Sequence, residues 1–261
     1  MADMDTYARR PARPPEVRAL TVADIRQSLA EGAADFARNP GIGLAIALVF
    51  VVIGLAITTS LLVLHAPWLI YPFAIGFPLV GPFAAVGFYE VSRQMEAGHQ
   101  PTLGEVLNVI WAQRRREVSW MAFVMLFVFW VWMYQIRLLM ALILGRMSYA
   151  TLDRFADLVL TTNQGWIFLG IGHIEGAALA LVLYSITVIS IPMLLDREID
   201  FVTAMLTSIR AVLASPLVML SWGLVVTVAV LAACVPFFLG LLVVLPVLGH
   251  ATWHLYRRAV V

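Results

Sequence analysis

Long apolar runs, each ended by a cluster of polar or proline positions, set the rhythm of this chain. They cover residues 41–64, 69–89, 119–143, 166–194, 217–234 and 236–253. Each is near the ~20 apolar residues that a helix needs to cross a bilayer. Hydrocarbon offers backbone N–H and C=O groups no partners, so such runs must bond within themselves as helices. The pattern predicts an all-α, polytopic membrane helix bundle with six transmembrane helices. Pro72, Pro78 and Pro82 fall in the second run and predict a kinked or broken span there.

The segments between the runs carry a different period. Leu20, Val22, Ile25, Leu29, Ala33 and Phe36 recur at helical spacing, with Arg26, Glu31, Asp35 and Arg38 on the other side. Thr21 and Asp24 have the spacing of a capping box that opens this helix, and Asn39-Pro40 closes it. An amphipathic helix lying on the membrane surface is predicted. Thr102 and Glu105 predict a second such start, and residues 200–214 form a third amphipathic stretch, ended by Ser215-Pro216. Residues 146–165 read as a loop with a short helix. Residues 1–19 are rich in Arg, Pro and Asp, lack apolar periodicity and predict a disordered arm ahead of a single membrane domain, 20–261. Arg9-Arg10 has no apolar stretch behind it, so neither a twin-arginine nor a secretory signal is expected.

Charge changes the picture by giving an orientation. With six spans, the N-terminal arm, the 91–118 loop, the 196–215 loop and the C-terminus share one side, and that side holds nearly all the arginines. Positive charge marks the cytoplasmic side, so both termini are expected there. Composition agrees with a lipid setting: 62% of residues are hydrophobic and only 13% charged, against about 25% charged in soluble domains. All 17 basic residues are arginine. The net charge of +1 leaves no basis for a nucleic-acid partner. The single cysteine, Cys234, has no internal partner to bridge with.

A loose internal repeat is also visible. An amphipathic helix, an Asn-Pro or Ser-Pro stop and an apolar hairpin occur at 21–93 and again at 200–257, in parallel orientation. The segments Phe77-Pro78-Leu79-Val80-Gly81-Pro82, Gly87-Phe88-Tyr89-Glu90-Val91-Ser92-Arg93, Pro192-Met193-Leu194-Leu195-Asp196-Arg197 and Gly249-His250-Ala251-Thr252-Trp253-His254-Leu255-Tyr256-Arg257-Arg258 resemble those of a proteobacterial family of predicted integral membrane proteins of unknown function. The likeness covers roughly residues 16–258. It implies a bacterial inner-membrane setting and carries over no catalytic residue.

Three groups of side chains are candidates for function. Arg137, His173 and Glu175 lie within spans, where a charge costs roughly 2.5–3.5 kcal/mol on insertion scales unless it pairs or faces a cavity. Arg137 and Glu175 both belong to the outer half, so a salt bridge is geometrically possible, with Gly172, Gly176 and Ala180 permitting a tight helix contact beside it. An ion or proton site is the functional reading, and a structural pin or an arginine snorkelling to the outer interface the bland one. Glu90, Arg93, Asp196, Arg197, Arg257 and Arg258 gather at the cytoplasmic ends of three spans, either as a ring for lipid headgroups or a partner, or as plain interfacial anchors. His250 and His254 share a helix face one turn apart, a spacing that also suits haem or metal, but further ligands are lacking and no cofactor is expected. No Gly-rich phosphate loop, HExxH or GxSxG is present, so an enzyme is not expected. The expected role is that of an accessory, assembly or structural protein contacting membrane lipids and a larger membrane complex. A small transporter or channel around Arg137 and Glu175 is the alternative.

Overall fold

The computed structural model describes residues 15–62, 70–113, 116–145 and 152–261. Most of the arm expected to be disordered, the turn around His65 and Trp68, Arg114, Arg115 and Arg146 lie outside the described residues. Every regular element described is helical: α1 (Val22–Arg38), α2 (Pro40–Leu62), α3 (Ile70–Glu96), α4 (Leu103–Gln113), α5 (Glu117–Leu139), α6 (Leu152–Thr161), α7 (Asn163–Thr187), α8 (Ser190–Asp196), α9 (Phe201–Ala214), α10 (Pro216–Cys234) and α11 (Leu241–Ala259). A π-helical turn, Met140–Leu144, extends α5.

Four stretches are long and apolar enough to cross a membrane: Pro40–Ser60, Glu117–Leu144, Asn163–Asp196 and Pro216–Cys234. They match the first, third, fourth and fifth runs of the sequence. The second run falls on α3, where the side chains through Val80 lie outside the described residues. The sixth falls on α11, whose last turns carry His250, His254, Arg257 and Arg258 and lower its apolar character. The fourth stretch is two helices. The chain turns at Val188–Ile189, where the Ser208 hydroxyl accepts the Ile189 N–H at 3.1 Å.

Local signals explain several boundaries. Thr21 caps α1 through a reciprocal box with Asp24, and Thr102 and Glu105 do the same at α4. Asp200 caps α9 by accepting the Thr203 N–H at 2.9 Å. α3 is continuous from Ile70 to Glu96, so of the kink or break expected at its prolines the break is not found. Pro72 stands in the first turn, where its missing N–H has no helical partner to lose.

α11 is the centre of the bundle, with ten residues from Leu241 to Ala259 buried. α1 lies along it, and the approach is close at Gly32: a Cβ there would stand 2.5 Å from the Ala251 N and 2.7 Å from the Val247 O. The stripe that α1 buries is Ile25, Ser28, Gly32 and Asp35, whereas Val22 and Ala33 of the apolar stripe are exposed. The helix thus docks by a small and polar face, rotated away from the one that sequence periodicity selects. Residues 16–18, expected to be disordered, instead run beside the C-terminus. Val17 and Val260 form an antiparallel bridge, the Arg18 N–H donates to the Ala259 carbonyl at 2.9 Å and the Val261 N–H to the Glu16 carbonyl at 3.0 Å.

The two repeat units have the same order of elements, α1–α2–α3 and α9–α10–α11. Asn39, between α1 and α2, has φ −140° and ψ 70°, and Ser215, between α9 and α10, has φ −147° and ψ 65°. Each is followed by proline at the first position of the next helix, where the fixed φ of proline suits a helix start.

Candidate functional site

The chemistry gathers where α1, α3 and α11 meet. Asp35 on α1 is 5% exposed. One of its oxygens, Oδ2, accepts the Ser92 hydroxyl of α3 at 2.8 Å and the His254 Nε2–H of α11 at 2.7 Å. Serine has one hydroxyl proton and spends it on Asp35, so the His250 Nδ1, 2.9 Å from the Ser92 oxygen, is the donor there. His254 turns its other nitrogen, Nδ1, towards Glu31 of α1 and Glu96 of α3, at 3.4 Å each. Arg258 reaches Glu31 at 2.7 Å, Arg257 reaches Glu96 at 3.5 Å, and Arg38 lies 3.7 Å from Asp35 Oδ1.

This surrounding sets the charges. Burial works against an imidazolium at His254, but the Asp35 and Glu96 hydrogen bonds and the charges of Asp35 and Glu31 outweigh it and push its pKa up to about 9. Burial raises Asp35, while the His254 and Ser92 hydrogen bonds overcome it and hold the carboxyl below its usual range. Glu31 is held low first by its hydrogen bond from Arg258. At neutral pH the cluster is a buried imidazolium between carboxylates, themselves flanked by arginines. Three helices far apart in sequence are thereby fixed in one register.

The six charged residues expected at the cytoplasmic ends of the spans divide between two neighbouring groups. Asp196 accepts the Tyr256 hydroxyl at 2.6 Å and lies 3.3 Å from Arg257 and 3.9 Å from Arg197, which continues the α11 cluster. Arg258 joins that cluster through Glu31. Glu90, whose side chain is 1% exposed, is clasped by Arg93 at 2.7 and 2.8 Å and by Gln94 at 2.7 Å. A polar hollow of about 500 Å³ adjoins this pair, lined by Gln94, His99, Gln100, Glu105 and Asn108. An Arg93→Met variant leaves the buried Glu90 carboxylate with Gln94 alone. It is expected to lose about 3 kcal/mol in detergent unfolding, and Glu90→Gln in the same background is expected to recover most of it.

His250 and His254, whose spacing also suits a metal or haem, occupy this cluster. Three of their four ring nitrogens face Asp35, Ser92, Glu31 or Glu96. His250 Nε2 is buried without a hydrogen-bond partner. Among the described residues no three of His, Cys, Asp or Glu are arranged to hold a metal ion.

Arg137, His173 and Glu175 are not gathered. Among the described residues no ion pair joins Arg137 to Glu175. Arg137 and His173 are exposed and Glu175 is half-buried. His173 spends its Nδ1 on the Leu169 carbonyl of its own helix at 2.7 Å. Nor is the glycine stripe a tight contact. A Cβ at Gly172 would meet Leu139 at 3.9 Å and one at Gly176 would meet Trp132 at 3.7 Å, which is ordinary spacing. Among the described residues no such pin forms, since Arg137 and His173 are exposed.

Glu31, Asp35, Ser92, Glu96 and Tyr256 were not among the residues singled out from sequence. One signal was available: Ser28, Gly32 and Asp35 make a small-polar stripe at helical spacing beside the apolar one.

The helices and the ion-paired end of the bundle define a multi-pass helical membrane protein. Residues 70–196 match the model of a family described as predicted integral membrane protein (DUF2189), a family of unknown function. Two of the four resembling segments lie within that match, the third lies within it as far as Asp196, and the fourth, from Gly249, lies outside it. No curated protein and no solved structure matches the chain.

Proposed function

We propose that this chain is a non-enzymatic accessory or assembly protein of a bacterial inner membrane, crossing it six times with both ends in the cytoplasm. It acts through lipid and protein contacts, and its contact surface within the bilayer is formed by α5 and α7. The hairpins α2–α3 and α10–α11 supply four crossings, α5 and α7–α8 the other two. The pairing of residues 16–18 with 259–261 supports an even number of crossings, because it keeps the two ends on one side. Arginine distribution supports the cytoplasmic assignment.

The observation that carries the reading is the exposure of α5. Only 6% of its most apolar 18-residue stretch is buried, against 17% for α10 and 33% for α2, and α7 buries only Gly165. Its outer face is not the aliphatic surface that lipid tails ask for. Trp130 and Tyr134 are exposed well inside the span, although these residues favour the membrane–water interface. Arg137 is exposed three residues further on. A transmembrane partner gives such groups the contacts that hydrocarbon withholds.

On the cytoplasmic side, Leu103 and Leu107 of α4 face a groove of about 380 Å³ shared with Ile46 and Phe50 of α2 and Phe83 of α3. The same two leucines are 41% and 50% exposed, which suits a helix resting on acyl chains. The transporter alternative drew on a broken second span, whereas α3 is one continuous helix. Purification in a mild detergent is expected to yield the chain with bound lipid and a protein partner, and Phe127→Ala with Trp130→Ala is expected to release the protein partner alone. Recovery of only free, lipid-stripped monomer from the unmodified chain would contradict the proposal.

A further inference from the structure

We infer that α5 and α7 form the interface of a two-fold dimer of this chain, in which α5 of each copy packs against α7 of the other. This rests on the reading of α5–α7 as a contact surface and names its occupant.

The exposed face of α5 has a regular period. Trp120, Phe123, Phe127, Trp130, Tyr134 and Arg137 follow one another at steps of three, four, three, four and three. That 3.5-residue period is the seam of a helix packed along its length on another helix. Lipid-facing helices show the same period, but five of these six residues are aromatic, which lipid tails do not call for.

The facing surface on α7 is complementary in size and charge. Gly170, Ile171, Ile174, Ala177 and Ala178 are exposed and smaller than the aromatics of α5. Glu175, half-buried and without an ion pair among the described residues, lies on the same helix. Depth can be read from the contacts within one copy. Gly176 faces Trp132 and Gly172 faces Leu139 across the antiparallel pair. Arg137 and Glu175 therefore lie within about one helical turn of the same depth, and Trp130 is near the level of Ala177 and Ala178.

Two copies inserted in the same direction are related by an axis along the membrane normal, which preserves depth. Rotation brings α5 of one copy to α7 of the other, and the contact is made twice. Trp130 then meets the small residues Ala177 and Ala178 of the second copy. Arg137 meets Glu175 of the second copy, and the reciprocal pair forms at the symmetry-related place. Direct pairing of α5 with α5 would set the two Arg137 side chains against each other, so the geometry selects the α5–α7 arrangement. A foreign partner would need its own base and acid at this depth. A second copy brings both.

Charge reversal in the full chain tests this. Arg137→Glu and Glu175→Arg are each expected to weaken self-association in lipid nanodiscs roughly tenfold or more, the scale of one intramembrane polar contact and its reversal. Two rescues are expected. The two variants co-expressed with different tags should associate with one another, and the double variant should associate with itself. Where a reversal prevents insertion, Arg137→Gln and Glu175→Gln serve in its place, each expected to weaken association in the same direction. A monomeric wild-type chain in bilayers would overturn the inference. So would reversal variants that associate as tightly as wild type, which would mean that Arg137 reaches the headgroups alone. In either case an α5 surface still protected by a different membrane protein would leave the proposed function standing.

Discussion

Asp35→Ala is expected to lower the unfolding free energy of the solubilised chain by about 3–5 kcal/mol, the cost of removing one partner from a buried ion pair. The carboxylate is the acceptor for two donors from two other helices, Ser92 of α3 and His254 of α11. Without it the His254 imidazolium keeps only Glu31 and Glu96 at 3.4 Å, and the Ser92 hydroxyl loses its acceptor. Ser92→Ala removes a single neutral donor and is expected to cost about 1 kcal/mol. The same cluster gives stability a pH dependence. His254 has a folded pKa of about 9, above its ordinary 6.5, so its contribution is complete below pH 6.5 and fades as pH rises towards 9. Asp35 and Glu31 are shifted down, so theirs is present above the usual carboxylate range and is lost as pH falls through the lowered values. Melting temperatures in detergent are expected to decline from pH 6.5 to 9 in the wild type, with that part of the decline missing in His254→Gln.

Gly32→Ala is expected to cost about 2–3 kcal/mol, and Gly32→Leu more, at the upper end of overpacking effects. The atoms that a new Cβ would meet, Ala251 N at 2.5 Å and Val247 O at 2.7 Å, are backbone and cannot rotate aside. α1 would have to lift from α11, and the Asp35–His254 contact one turn further along would open with it. The steric and polar losses are therefore coupled, and Gly32→Ala combined with Asp35→Ala should cost less than the sum of the two. Gly41→Ala is the control: nothing lies within 4 Å of the added atom, so no steric loss is expected. Denaturant titration of the single and double variants measures all of these.

Much of this architecture is legible along the chain because it depends on near neighbours. The caps at Thr21 and Thr102 are bonds across three residues, and the apolar runs at 41–64, 119–143, 166–194 and 217–234 declare themselves by length alone. α11 was legible as a helix, but its role was not. Its polar residues His250, His254, Arg257 and Arg258 lower its mean hydropathy because they serve the interior of the protein. The Asp35–His254 bond joins positions 219 apart, a contact that no local period encodes. The apolar stripe of α1 is only part of what the helix buries: Leu20 and Ile25 are in the core, but so are Ser28, Gly32 and Asp35, which no apolar period marks. Arg137 and Glu175 were legible as costly intramembrane charges. Their directions were not, because sequence gives the depth of a side chain more readily than its rotation about the helix axis.

The account depends most on the outward face of α5 being covered by protein in the membrane. Photo-crosslinking groups placed one at a time from Trp120 to Leu138 in the native membrane measure this directly. Discrete protein adducts are predicted at Phe123, Phe127, Trp130 and Tyr134, with few at Met121 and Ala122, which are buried against the chain's own core. Adducts to lipid alone at all of these outward positions would contradict it.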